Sequence, residues 1–353
     1  MFCASFALAQ TQPNTFWVEG QYYYGTILRH NKDIAHLVQR HPTGLVLSYN
    51  QPTDGSKRWH QEFGYPDYGI SLVTQFSGNP TLGDNYGLYG HLNFYVLNRK
   101  LRMRIGQGIA YNTNPFDLET NFKNNAYGSH FLSTTYLQFS AARIRLWKEW
   151  GVQLGVGLLH YSNGNFKAPN SSTNALIFHA AVDYHKSSDT FQRKDSIYEP
   201  YSEPIHFNAV LRGGINQSDY VGLGSHPFWV VSAYADKRVS YKSSLQLGAD
   251  LFVAYFLKEE IEYLSRSGLN PRLTGDEDYK RVGIFAGHEL HFDALSVVSQ
   301  FGYYLYYPYD FEGRTYIRAG LKYRFARNLF GVITLKSHGA KVEGVEFGIG
   351  FRM

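Results

Sequence analysis

Apolar and polar side chains alternate with a period of two along most of this chain, the spacing of a strand with two unlike faces. Between Tyr86 and Val96, the residues Leu88, Leu92, Phe94 and Val96 share one face, and Gly87, Tyr89, His91 and Asn93 share the other. Further on, Leu101, Met103, Ile105 and Ile109 oppose Arg102, Arg104, Gly106 and Gly108. Leu245, Leu247, Ala249, Leu251 and Val253 oppose Gln246, Gly248 and Asp250, and Ile317, Ala319, Leu321, Tyr323 and Phe325 oppose Arg318, Gly320, Lys322 and Arg324. Such segments recur well over ten times at about 9–14 residues each, the length a tilted strand needs to cross a bilayer. The last of them, Val345 to Met353, is amphipathic to its end, as a strand that closes a barrel against the first one must be.

The pattern predicts an all-β fold, a transmembrane antiparallel up-and-down β-barrel of about 14 strands (range 12–16), with its apolar face outward and its Arg, Gln and Gly face lining the lumen. A soluble β-sandwich also alternates, but it shares one core between two sheets and turns its polar face to water. Aromatic residues near segment ends, Tyr303 to Tyr309 and Phe228-Trp229, suit interfacial girdles. Short connections fall near 98–100, 145–148, 239–242, 292–294 and 326–328 and suit periplasmic turns. Longer polar ones near 30–42, 114–128, 163–173, 218–226 and 258–279 suit the outer surface. Two long segments, 51–66 and 187–203, break this rule and leave the strand count open. No repeat of 20–50 residues and no linker stands out, so residues 10–353 read as a single barrel domain.

Composition strengthens the β reading: aromatics reach 17% while charged residues reach 18%, a bias towards side chains that suit a pleated, half-buried surface. The net charge of +5 is spread along the chain without a basic run, so no nucleic-acid footprint is present. The one cysteine, Cys3, lies in an apolar stretch that ends Ala7-Leu8-Ala9, and residues 1–9 read as the remnant of a signal peptide. An exported chain with no run of roughly 18 apolar residues cannot span a bilayer with helices, which leaves a closed barrel integral to a bacterial outer membrane.

One segment departs from its own pattern. In Gly151 to Ser162, the lipid face Val152, Leu154, Val156 and Leu158 continues into His160 and Ser162. The next segment carries Asn174 in phase with Leu176, Phe178, Ala180 and Val182. Polar groups against hydrocarbon are costly unless they satisfy one another. A His and a Ser two residues apart on a strand lie about 6–7 Å apart at Cα, close enough for imidazole to act as general base to the hydroxyl. Asn174 could then orient the ring, and the loop 163–173, with Gly164 and several Asn residues, could supply oxyanion donors. The bland alternative is that these groups sit just above the membrane rim in water. No cofactor and no metal is needed. The loop histidines His30, His36 and His41 follow no metal-ligand spacing. Arg102, Arg104, Arg212, Arg318 and Arg324 fit ion pairs with Asp236 and Asp250 better than an anion channel.

His160-Tyr-Ser162-Asn163-Gly164, followed by Pro169-Asn170 and a polar residue at 174, resembles the lipid A 3-O-deacylase family, also described as acyloxyacyl-hydrolase-like. The stretch from Gly106 to Asp117 and then Asn121 to Ser129 adds to the likeness, which covers roughly 85–186. The resemblance implies an outer-membrane, metal-free ester hydrolase that removes an acyl chain from lipopolysaccharide. It assigns Ser162 as nucleophile, His160 as general base, and Asn163 and Asn170 to the oxyanion hole and its support. Better-known members carry Glu where this chain has Asn174, and an amide cannot stabilise an imidazolium with a full charge. Asp183 is the nearest acid, but its odd position puts it on the lumen face beside His179 and His185. The expected function is therefore a serine-type lipid A deacylase. Two alternatives remain: an inactive barrel of the same family, serving as pore or structural partner, and a phospholipase with the same site. A homodimer, or a complex with another outer-membrane protein, is left open.

Overall fold

A computed structural model describes residues 15–186, 193–339 and 341–353. The first strands are β1 (Phe16–Ile27), β2 (Thr43–Pro52), β3 (Asp67–Gln75), β4 (Asn85–Val96), β5 (Leu101–Asn112) and β6 (Phe131–Ala141). A short β7 (Ile144–Trp147) continues the course of β6 and pairs with the start of β8 (Trp150–Ser162), and β9 (Thr173–Lys186) follows. Each pairs antiparallel with its neighbour, β6 with β8 and β9 with β1, so the sheet closes on itself.

The second half repeats the plan: β10 (Ile205–Gln217), β11 (Ser225–Arg238), β12 (Ser243–Ala254), β13 (Lys280–Phe292), β14 (Leu295–Tyr306), β15 (Thr315–Arg324), β16 (Leu329–His338) and β17 (Lys341–Arg352). β10 pairs with β17 from Asn208↔Arg352 to Gly213↔Phe347 and closes a barrel of its own. The class is the one the alternation predicts, an all-β antiparallel barrel, but the strands divide into two closed eights where a single larger barrel was expected. Period-two alternation is indifferent to where a sheet closes, so it could not show the division. The segment from 187 to 204 separates the barrels in sequence, and its described part, 193–204, carries no strand. The segment 1–9 read as a signal peptide lies outside the described residues.

Both lumens are packed with paired charges. In the first barrel, Arg104 and Arg102 hold Glu19 at 2.8 and 2.7 Å. In the second, Arg318 bridges Asp250 at 2.9 Å and Glu346 at 2.6 Å, and Arg281 meets Glu343. Buried charges persist only with such partners. Outward-facing residues are the reverse: Leu47, Ile70 and Leu247 are 58%, 58% and 68% exposed, giving each barrel an apolar exterior. A helix α2 (Tyr255–Arg266) follows β12 and packs Phe256, Leu257 and Ile261 into the lumen cluster of Phe252, Tyr304 and Tyr316.

The barrels touch near both ends. At the short-turn end, α1 (Arg58–Glu62) and its flanks meet the second barrel: Phe63 stacks on Phe292 with ring centres 4.3 Å apart, and Lys57 reaches Asp293 at 3.2 Å. The carbonyl of Glu62 accepts from Lys242 Nζ at 3.1 Å. At the long-loop end, the contact falls on the turn that follows Ser162.

Candidate active site

On β8, alternate residues point out of the barrel, and Leu154 is 65% exposed there. The same phase carries His160 and Ser162 to the outer wall at the long-loop end. The β8–β9 register sets His160 directly opposite Asn174. His160 Nδ1 and Asn174 Oδ1 are 2.8 Å apart. With the amide oxygen as acceptor, the ring proton sits on Nδ1 and the lone pair of Nε2 is free to take a proton.

Ser162 is buried under its own turn. Gly164 and Asn165 both take left-handed backbone conformations, at φ 65° and 64°, and fold the chain back so that Gly164 N–H donates to Ser162 Oγ at 3.1 Å. Asn170 closes the other side. Its Nδ2 lies 3.0 Å from Ser162 Oγ, and its Oδ1 lies 3.1 Å from the same hydroxyl and accepts from Asn163 N–H at 3.0 Å. Asn163 spans the turn, with Nδ2 donating to Lys167 O at 2.5 Å and Oδ1 accepting from Asn165 N–H at 3.0 Å. The six residues singled out in the sequence therefore fall in one place. One contact expected of them differs: among the described residues no hydrogen bond joins His160 to Ser162, because the hydroxyl is held by Asn170 and Gly164.

Asp183 faces the lumen of the first barrel, bound to Arg143 and to His185 at 3.0 Å, so it does not serve His160. The loop histidines go separate ways: His36 to Lys123 O at 2.7 Å, His41 to Gly25 O at 3.0 Å, and His30 to Leu28 O at 3.2 Å.

Two sets of residues at the site were not read from the sequence. The first is the second barrel's grip on the turn. Gln217 Oε1 accepts from Ala168 N–H at 3.0 Å, Gln217 N–H donates to Asn165 O at 3.2 Å, and Asn165 Nδ2 donates to the carbonyl of Gln217 at 2.9 Å and that of Glu343 at 3.3 Å. A Cβ on Gly164 would come within 2.5 Å of Val345. Nothing in the sequence signals a contact across so many residues. The second set is polar and continues the outer wall sideways: Thr135 lies opposite His160, Ser133 opposite Ser162, and Gln107 opposite Thr135. Here a signal was available, since Gln107 is in phase with Ile105 and Ile109.

A hydroxyl, an imidazole and two amide donors are gathered on the outer wall of a β-barrel, the kinds of group that acyl-transfer chemistry uses. Comparison with known families agrees: residues 43–183 match the family described as lipid A 3-O-deacylase (PagL), and residues 205–353 match that described as acyloxyacyl hydrolase, C-terminal domain. The chain belongs to the lipid A 3-O-deacylase family. No curated protein sequence matches it. Among solved structures, variants of the Rhodopseudomonas blastica porin align at 10% identity over 96% of this chain and 100% of theirs, with TM-score 0.20, and at 11% identity over the same shares, with TM-score 0.20. A similarity that low carries no argument.

Proposed function

We propose that this protein is a serine-type ester hydrolase of the bacterial outer membrane that removes an ester-linked acyl chain from lipid A in the outer leaflet. The observation that carries the reading is the placement of Ser162, beside His160 and beneath the donors Gly164 N–H and Asn170 Nδ2, on an apolar exterior. A lipid substrate reaches such a wall by lateral diffusion and needs no pocket. The long-loop end then faces the exterior and the short-turn end the periplasm.

In the mechanism, Ser162 Oγ turns from Asn170 towards His160 Nε2 and attacks the ester carbonyl carbon while Nε2 takes its proton. The carbonyl oxygen becomes an oxyanion in the place Oγ has left, where Gly164 N–H and Asn170 Nδ2 already point. Collapse breaks the carbon–oxygen bond to the sugar, and the imidazolium returns the proton to that oxygen. Water, deprotonated by His160, then attacks the acyl carbon; the bond to Ser162 Oγ breaks, the imidazolium returns its proton to that oxygen, and the fatty acid leaves. Asn174 holds the ring but adds no charge to the imidazolium. In serine proteases an Asp-to-Asn exchange lowers turnover by roughly four decades, so a slow enzyme is expected.

Mass spectrometry of lipid A from cells with the wild-type chain, with Ser162→Ala, or with neither tests the reading. Loss of one acyl chain that depends on Ser162 is expected. Identical spectra in all three would overturn it in favour of a non-catalytic barrel, and loss of acyl chains from phospholipid alone would redirect it to a phospholipase.

A further inference from the structure

The outer wall of the first barrel carries a polar row that runs on from His160 and Asn174 to residues the hydrolytic step does not use. Across four neighbouring strands the register reads Asn174 on β9, His160 on β8, Thr135 on β6 and Gln107 on β5. Gln107 is exposed between Ile105 and Ile109, which are 42% and 64% exposed on the same face. Thr135 Oγ1 donates to Gln107 Oε1 at 2.5 Å, and Gln107 Nε2 donates to Ser133 Oγ at 3.2 Å. These bonds leave the exposed amide with one N–H and one lone pair to give. On its other flank the register partner is Gly90, and a Cβ built there would meet nothing within 4 Å, so space beside the amide is open.

An apolar residue at 107 would spare the wall the cost of a polar group facing hydrocarbon. The amide lies two strand spacings from His160, about 10 Å, on the same face. We infer that Gln107, supported by Thr135 and Ser133, is a binding subsite for the hydroxyl- and amide-bearing sugar part of the glycolipid whose ester is presented to Ser162. The inference rests on the lipid A reading and adds to it a residue that recognises the headgroup. Hydrolysis places Ser162 against the ester, and the polar row gives the attached sugar somewhere to lie other than bare apolar wall.

The test is steady-state hydrolysis by the full-length chain of two substrates, purified lipid A in detergent micelles and p-nitrophenyl decanoate, which has an ester but no sugar. Gln107→Leu and the nearly isosteric Gln107→Met are compared with wild type, and heat-modified gel mobility confirms that each barrel is folded. The expected result is a rise of about tenfold in KM for lipid A, with kcat and hydrolysis of the simple ester within twofold, the size of one or two lost hydrogen bonds. Unchanged kinetics on lipid A, or an equal loss on both substrates, would overturn the subsite. A wild-type chain that cleaves the simple ester but not lipid A would overturn the lipid A reading itself. Binding of lipid A to Ser162→Ala, with and without Gln107→Leu, then judges the subsite separately, and equal affinities refute it.

Discussion

The side-chain oxygen of Gln217, at the end of β10 in the second barrel, accepts the backbone N–H of Ala168 in the first at 3.0 Å. Ala168 stands two residues before Asn170, whose amide touches both Ser162 Oγ and Asn163 N–H. A group in one barrel thus fixes the approach of a donor to the Ser162 hydroxyl in the other.

Replacing Gln217 by Ala should lower kcat for lipid A by about tenfold to a hundredfold, because misplacing a catalytic donor by about 1 Å costs that much. Gln217→Glu keeps an acceptor for Ala168 N–H and should retain most of the rate. Stopped assays on both variants decide this, and equal rates for Ala and wild type would mean that the turn holds itself.

Asn174→Glu restores a charged partner opposite His160 Nδ1. The expected outcome is a gain in kcat of at least about tenfold, in the direction set by the Asp-to-Asn precedent. Single-turnover release of fatty acid measures it. An unchanged rate would show that orienting the ring is all this position does.

Glu19 is fully buried between two guanidinium groups. Glu19→Gln strands both charges in the lumen and should destabilise the first barrel by about 3–5 kcal/mol. Urea unfolding in micelles, followed by gel mobility, reports the loss.

Glu260 on α2 accepts from Ser218 Oγ at 2.5 Å and Tyr309 OH at 2.7 Å, yet burial pushes its carboxyl above the ordinary glutamate value of 4.5, with Asp219 adding to the rise and Lys341 opposing it. An acid whose folded value is raised favours the native state when protonated. Its contribution is therefore complete below about 4.5 and is lost as pH rises through the elevated value. Glu260→Gln should remove that part of the pH dependence, seen as slower amide hydrogen exchange in α2 at neutral pH and little change at pH 4.

The strands and the outward face of β8 were legible because a period of two is a local property, written in each segment separately. His160, Ser162 and Asn174 stood out for the same reason, as polar residues in an apolar phase. Gln107 obeyed the same test and was passed over, because it sits among glycines in a strand without other cues. The closure of the sheet after β9 was not legible: whether Phe16–Ile27 pairs with Thr173–Lys186 or with a later strand depends on register between distant segments, and each alternative shows the same alternation. Gln217 and Glu343 were hidden for a related reason, since they reach the site through backbone groups and side-chain amides that carry no residue-specific pattern.

The strands of the first barrel, β1 to β9, all end by residue 186, and each pairs only within that stretch. Its serine turn is completed from outside that stretch. The carbonyl of Glu343 belongs to β17, the last strand of the chain, and Gln217 is held in register opposite Ser225 on β11. A chain cut before residue 343 would keep every strand of the first barrel and lose the carbonyl that holds Asn165 in the serine turn. The last strand of one barrel thus finishes a turn of the other.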